Sequence, residues 1–203
     1  MSRAPALGAR ERILDAAIDL FSTKGFDAAS VREIVSRAGV SKPTLYYYFR
    51  NKATLAQELL TATSAEFREA ILESAHEDPD LAEAISRLIY ESCRHASRHL
   101  KFVRFLFATL FGGTGRSFLR SLVGVLQQCR KESEDFVRCA AIRHGFSRTA
   151  AARLPEMVMD VIDVEIMRDV LGVGSAVTRR RARSLARFLV AGTQYLAERE
   201  GRS

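Results

Sequence analysis

Apolar residues recur at three- and four-residue spacing along almost the whole chain, while alternating runs of β-branched residues are nearly absent. That period belongs to helices and leaves little room for strands, so the expected fold class is all-α. Ile13, Ala16, Ala17, Leu20 and Phe21 form one stripe, and Gly25 after Lys24 supplies a stop, predicting a first helix over 9–24. Ser30-Val31-Arg32-Glu33 has the form of a capping box and opens a helix of about two turns that ends at Gly39. Ser41 is placed to cap a third helix over 42–49, with Pro43 tolerated in its first turn. Longer helices follow from Asn51 to a break at His76-Glu77-Asp78-Pro79, then near 80–98, 101–111, 116–144, 148–171 and 178–199. Gly112 to Gly115, Gly145-Phe146-Ser147 and Gly172 to Ser175 supply the turns between the later ones.

With 203 residues and 47% hydrophobic content, the chain suffices for one domain, or a small one fused to a larger one, and is neither a disulfide-stapled miniprotein nor a disordered tail. The formal charge is +7, from 31 basic and 24 acidic groups. Residues 1–52 hold 9 and 5 of these, net +4, and residues 53–203 hold 22 and 19, net +3. The first quarter thus carries over half the excess, which favours an anionic partner there. Cys93, Cys129 and Cys139 are an odd set without CxxC spacing and suit a reducing cytoplasm. No apolar leader opens the sequence, and the charge-free stretch from Phe105 to Gly115 is far short of the roughly 18–20 residues of a membrane span. A cytoplasmic protein with no membrane partner is expected.

Two short helices joined by Ala38-Gly39-Val40-Ser41 have the form of a helix-turn-helix, whose second helix enters the major groove of duplex DNA. On that second helix Leu45 and Phe49 share the inward side, while Tyr47 falls about 200° round from Leu45 at ~100° per residue. Pro43 and Thr44 lie on the same outward side as Tyr47. An outward tyrosine can lay its ring on a sugar or a thymine methyl, and Lys42 and Thr44 present donors to bases or phosphates. Lys52, at the start of the next helix, suits a phosphate oxygen. The alternative is a three-helix packing unit with surface tyrosines.

Here the sequence resembles the tetracycline-repressor (TetR) family of bacterial transcription regulators. Ala16-Ala17, Leu20-Phe21, Gly25-Phe26, Val31 to Ile34, Ala38 to Ser41 and Thr44 to Phe49, with Lys52 and Leu55, follow its N-terminal pattern in order and spacing, over about residues 10–56. The resemblance implies that Ser30 and Lys52 hold the DNA backbone, that Arg32 reaches a base, and that Lys42, Pro43, Thr44 and Tyr47 line the groove. Tyr46 and Tyr48 are then phosphate or packing contacts. It also implies two domains, a DNA-binding one over 1–52 and a regulatory one over 53–203, with the last two helices forming a four-helix dimer interface.

Two features of the larger part fit that reading. Ten of the fifteen residues from Met157 to Leu171 are apolar and point nearly all round the helix, which asks for cover on two sides. Val158, Ile162 and Ile166 there, with Leu185 and Leu189 on the next helix, are the candidate homodimer contacts; a central helix within one chain is the alternative. Arg94 and Arg98 with Phe102, Phe105 and Phe111 are candidates for the pocket of a small-molecule inducer, an anionic aromatic or acyl compound, against the alternative of ordinary core.

Other chemistry lacks its minimum residues. His95 and His99 are spaced for one metal, with Cys93 and His76 conceivable beside them, but Arg94 and Arg98 oppose a cation, so no metal is expected. The glycine run at 112–115 is no phosphate loop, and GxSxG and HExxH are both absent. No cofactor and no enzymatic activity are expected. The sequence therefore reads as a regulator, most simply a ligand-responsive repressor that binds a palindromic double-stranded operator as a homodimer. The alternatives are a ligand-independent architectural DNA-binding protein and a small-molecule-binding helical domain with vestigial DNA binding.

Overall fold

The computed structural model describes residues 8–74, 80–111, 116–174 and 176–200, with the side chains of 70–74, 116–119, 121 and 200 left aside. The expected break at His76 to Pro79, the connection at Gly112 to Gly115, Ser175, the first seven residues and the Phe118 side chain lie outside that description. The described residues form nine helices and no strand. They are α1 (Ala9–Lys24), α2 (Val31–Ala38), α3 (Lys42–Tyr48), α4 (Lys52–Ser74), α5 (Leu81–Arg98), α6 (Leu100–Phe111), α7 (Arg116–Arg143), α8 (Arg148–Val170) and α9 (Arg179–Glu200). None of the described helices is long and apolar enough to cross a membrane.

The chain packs as two compact units, one of residues 1–63 and 100–125, the other of 64–99 and 126–203. In the first, the α1 stripe of Ile13, Ala16, Ala17, Leu20 and Phe21 is buried with Ile34 and Ala38 of α2, Leu45, Phe49, and Leu55 and Leu60 of α4. Helix α6 packs along α1. Phe105 of α6 stacks on Phe21 with ring centroids 5.2 Å apart, and both rings are fully buried. Polar contacts follow the same path: Asp19 of α1 takes Arg37 of α2 at 2.6 Å and Lys101 of α6 at 2.5 Å. The hydrogen bond from Lys101 holds the Asp19 carboxyl below the usual carboxylate range.

In the second unit α5 is central. Its Leu81, Ile85, Leu88, Ile89 and Cys93 share one core with Val137, Ala140 and Ala141 of α7, Leu154, Val158, Met159 and Ile162 of α8, and Ala182, Ala186 and Leu189 of α9. The α7–α8 joint works as its residues predict. Gly145 sits at φ 81°, where a Cβ would be strained, and the Phe146 N–H reaches back to the Ala141 carbonyl at 3.1 Å. Ser147 then caps α8 by accepting the Ala150 N–H at 3.3 Å. Glu165 of α8, buried at its carboxylate, receives two hydrogen bonds from Arg181 of α9, at 3.0 and 2.6 Å. Burial in this core, with the charges of Glu165 and Asp169 beside it, pushes the Cys93 thiol up to about 12 and leaves it un-ionised.

The apolar residues expected to meet a second subunit are largely used inside this unit. Val158, Ile162 and Leu189 are buried in its core, and Ile166 and Leu185 pack against it. A side chain enclosed by its own unit has no surface to give a partner. What α8 and α9 leave exposed instead is Met157, Val164 and Leu171 at seven-residue spacing, and Phe188 and Tyr195 at the same spacing. That interval returns to one side of a helix.

Candidate nucleic-acid interface

Helices α2 and α3 are built by local chemistry. The Ser30 hydroxyl accepts the Glu33 N–H at 3.2 Å while the Glu33 carboxylate accepts the Ser30 N–H at 3.0 Å, completing the capping box. Lys24 of α1 adds an ion pair to the same carboxylate. That hydrogen bond from Lys24, with those from the backbone and hydroxyl of Ser30, holds Glu33 down to about 2.

A prediction follows for acid. The folded carboxyl sits below the ordinary unfolded value of about 4.3, so its stabilising effect is complete above that value and is lost as pH falls toward 2. In an NMR titration Glu33 is expected to show a midpoint near 2. A midpoint near the ordinary value would mean that Lys24 and Ser30 do not hold it.

The turn between the helices depends on Gly39, at φ 61° and ψ 41°. Its N–H bonds the Ser36 carbonyl and that of Val40 bonds the Val35 carbonyl, at 3.3 and 3.1 Å. A Cβ there would meet nothing within 4 Å, so the left-handed dihedral, and not crowding, calls for glycine. Ser41 next caps α3 by accepting the Thr44 N–H at 3.2 Å, and its hydroxyl shares a 2.7 Å hydrogen bond with that of Thr44. Arg12 of α1 steadies the turn from behind by donating to the Ala38 carbonyl at 3.0 Å.

Helix α3 is thereby fixed with one side in and one side out. Leu45 and Phe49 are fully buried, while Tyr47 is 83% exposed and Tyr46 and Tyr48 are exposed beside it. Lys42 and Pro43 are also exposed, and Thr44 is half-buried. Tyr47 and Tyr48 pack edge to face with centroids 5.0 Å apart. Arg32 is exposed on α2, where Ser36 and Arg37 flank it in a shallow depression.

Lys52 has a different setting. Its ammonium donates to the carbonyls of Phe26, Asp27 and Ala29 at 2.7, 3.2 and 2.9 Å and lies 4.5 Å from the centre of the Phe26 ring. An ammonium has three donors, so three carbonyls engage all of them. Lys52 therefore ties the start of α4 to the loop between α1 and α2. Its replacement by alanine is expected to destabilise this unit by about 1–3 kcal/mol, read by urea unfolding, because three carbonyls lose a charged donor. From the sequence alone a loss of about one unit of salt slope in DNA binding is expected instead. An unchanged urea midpoint with a reduced slope would favour that role.

The inducer candidates do not gather in one unit. Arg94 and Arg98 are exposed on α5 of the second unit, Arg94 bonded to Glu91 at 2.6 Å. Phe102 and Phe105 are buried in the first unit, and Phe111 of that unit is exposed. The rings of His95 and His99 lie tilted with centroids 4.4 Å apart, and His99 faces Glu66 at 3.1 Å. Among the described residues no group of three or more His, Cys, Asp or Glu is placed to hold a metal ion.

A short, exposed helix following a capped helix and a left-handed glycine turn defines a helix-turn-helix protein. Residues 13–59 match the family model of bacterial regulatory proteins, tetR family. Among relatives, the chain is 38% identical over 96 residues to the uncharacterized HTH-type transcriptional regulator YvdT of Bacillus subtilis, covering 45% of this chain and 47% of that one. It is 37% identical over 87 residues to the HTH-type transcriptional regulator UidR of Escherichia coli K12, covering 41% and 44%. The matched region thus spans less than half the length of either relative. Solved structures extend the likeness of fold. The fatty acid degradation regulator FadR of Bacillus halodurans superposes with a TM-score of 0.73 at 17% identity, over 95% of this chain and 98% of that one. FadR of Bacillus subtilis, solved in complex with stearoyl-CoA, gives 0.68 at 19% identity over 90% and 98%.

Proposed function

We propose that the protein is a cytoplasmic transcriptional regulator that binds a palindromic DNA operator as a homodimer and releases it when a small molecule occupies the larger part of the chain. The observation that carries the reading is the exposure of Tyr47 and Pro43 on a helix whose Leu45 and Phe49 are fully buried. Such a helix is anchored on one side and free to enter a major groove on the other. Lys42, Pro43, Thr44 and Tyr47 line the groove, Arg32 reaches in from α2, and Tyr46 and Tyr48 meet phosphates. Ser30 and Lys52 hold the elements that present them. Two copies double the DNA surface read and match a two-fold operator. The exposed apolar positions of α8 and α9 support pairing through those helices. A solved relative in fold that carries stearoyl-CoA supports a small-molecule signal.

The test is selection of bound duplexes from a random pool by the full chain. A two-fold consensus is expected, and Tyr47→Ala or Thr44→Ala is expected to change preference at particular positions by about 1–3 kcal/mol. An unselected pool, with affinity governed by salt alone, would instead indicate an architectural DNA-binding protein.

A further inference from the structure

Helix α9 begins against its own electrostatics. Arg179, Arg180, Arg181 and Arg183 fill four of its first five positions, and no acidic residue stands in its first turn. Cations there face the positive end of the helix dipole. Arg181 is accounted for by Glu165, and its N–H by the Thr178 hydroxyl at 3.2 Å. Arg179 and Arg183 instead line a cavity of about 180 Å³ with Glu83, Ser86, Arg87 and Tyr90 of α5. Glu83 holds Arg183 through its Nε at 2.8 Å, and the Arg179 guanidinium lies 4.8 Å from the centre of the Tyr90 ring. Arg179 and Arg183 thus face the single carboxylate of Glu83, which Arg183 occupies.

A second observation comes from Ser86. It is only 7% exposed, lines this cavity, and makes no side-chain hydrogen bond among the described residues. In the same unit the buried hydroxyls of Ser133 and Thr193 return to the carbonyl four residues back, at 3.0 and 2.8 Å, while Ser92 of α5, like Ser86, does not. The Ser86 hydroxyl opens on the cavity beside Arg179 and Arg183, where it can donate to an acceptor.

We infer that this cavity between α5 and α9 binds a small anion with a phosphate or carboxylate head. Guanidinium forks recognise both head groups, and the Ser86 hydroxyl supplies a further donor. The volume limits the body to about one aromatic ring, since a cavity of about 150 Å³ holds benzene. The inference concerns the second unit alone, and its test needs no DNA.

The test titrates the full chain with sodium phosphate and, separately, with sodium benzoate, at constant ionic strength, by calorimetry and by the melting temperature. Saturable binding of at least one probe is expected, with a rise in melting temperature. Arg179→Gln is expected to weaken it at least about tenfold, and Ser86→Ala several-fold, by loss of charge-assisted hydrogen bonds. Arg180→Gln, which removes the same charge from the same turn but does not line the cavity, is expected to change it less than about twofold. Ser86→Ala removes an unpaired hydroxyl and is expected to fold with an undiminished melting temperature in the absence of either probe. The inference is overturned if neither probe saturates, or if Arg180→Gln weakens binding as much as Arg179→Gln does.

Discussion

Phe105→Ala is expected to destabilise the unit that carries the recognition helix by about 3–5 kcal/mol, the range for removing a large aromatic from a close-packed core. Phe105 is fully enclosed and stacks on Phe21, so alanine forfeits both the burial and the ring contact. The measurement is urea unfolding followed by tyrosine emission. Three of the five tyrosines are residues 46 to 48, which weights the signal toward this unit, with Tyr90 and Tyr195 in the other. Phe111→Ala serves as the comparison, because Phe111 is exposed and its loss is expected to shift stability by no more than about 0.5 kcal/mol. If Phe105 instead lined an inducer pocket, its replacement would alter ligand affinity and leave the unfolding midpoint nearly in place.

Phe188→Arg is expected to separate the proposed homodimer into monomers, raising its dissociation constant by about a hundredfold or more. Phe188 is 79% exposed in the single chain, so arginine meets no obstacle to folding there. Covering a phenylalanine is worth roughly 1.5–3 kcal/mol, and a two-fold interface loses it twice. Sedimentation is the direct measurement, and the melting temperature of the monomer checks that the fold persists. Operator affinity is expected to fall in step, since each half-site then binds alone. An unchanged sedimentation coefficient would remove α9 from the interface. Val158→Arg makes the contrast. Val158 is sealed in the core of its own unit, so that variant is expected to unfold rather than merely dissociate.

The helices were legible because their signals are local. Ser30 with Glu33, Gly39, Ser41 and the pair Leu45 and Phe49 lie within a few residues of what they act on, and each acts as its chemistry requires. Contacts across long separations were not. Nothing near Lys52 announces that its ammonium reaches carbonyls more than twenty residues upstream, and nothing near Phe105 points to Phe21. The aromatic run of α6 reads equally well as pocket wall or as core, because composition does not say which neighbour a ring meets. The same holds for α8. Its apolar residues suffice for two faces, but only packing distinguishes Val158, turned inward, from Val164, left outside. Ser86 reads as an ordinary helical serine, because its sequence neighbours do not show which groups its hydroxyl meets across the α5–α9 cavity.

The unit that holds α1 to α3 is finished by a segment made much later than the rest of it. Residues 1–63 hold α1 to α3, yet the wall that shelters Phe21 is supplied by α6, beyond residue 99. On the ribosome the first helices must therefore wait, with Phe21 uncovered, until Phe105 has been synthesised and has emerged. A fragment cut after residue 63 would keep every side chain proposed to face the duplex and still be an incomplete object, short of the lid on its own core.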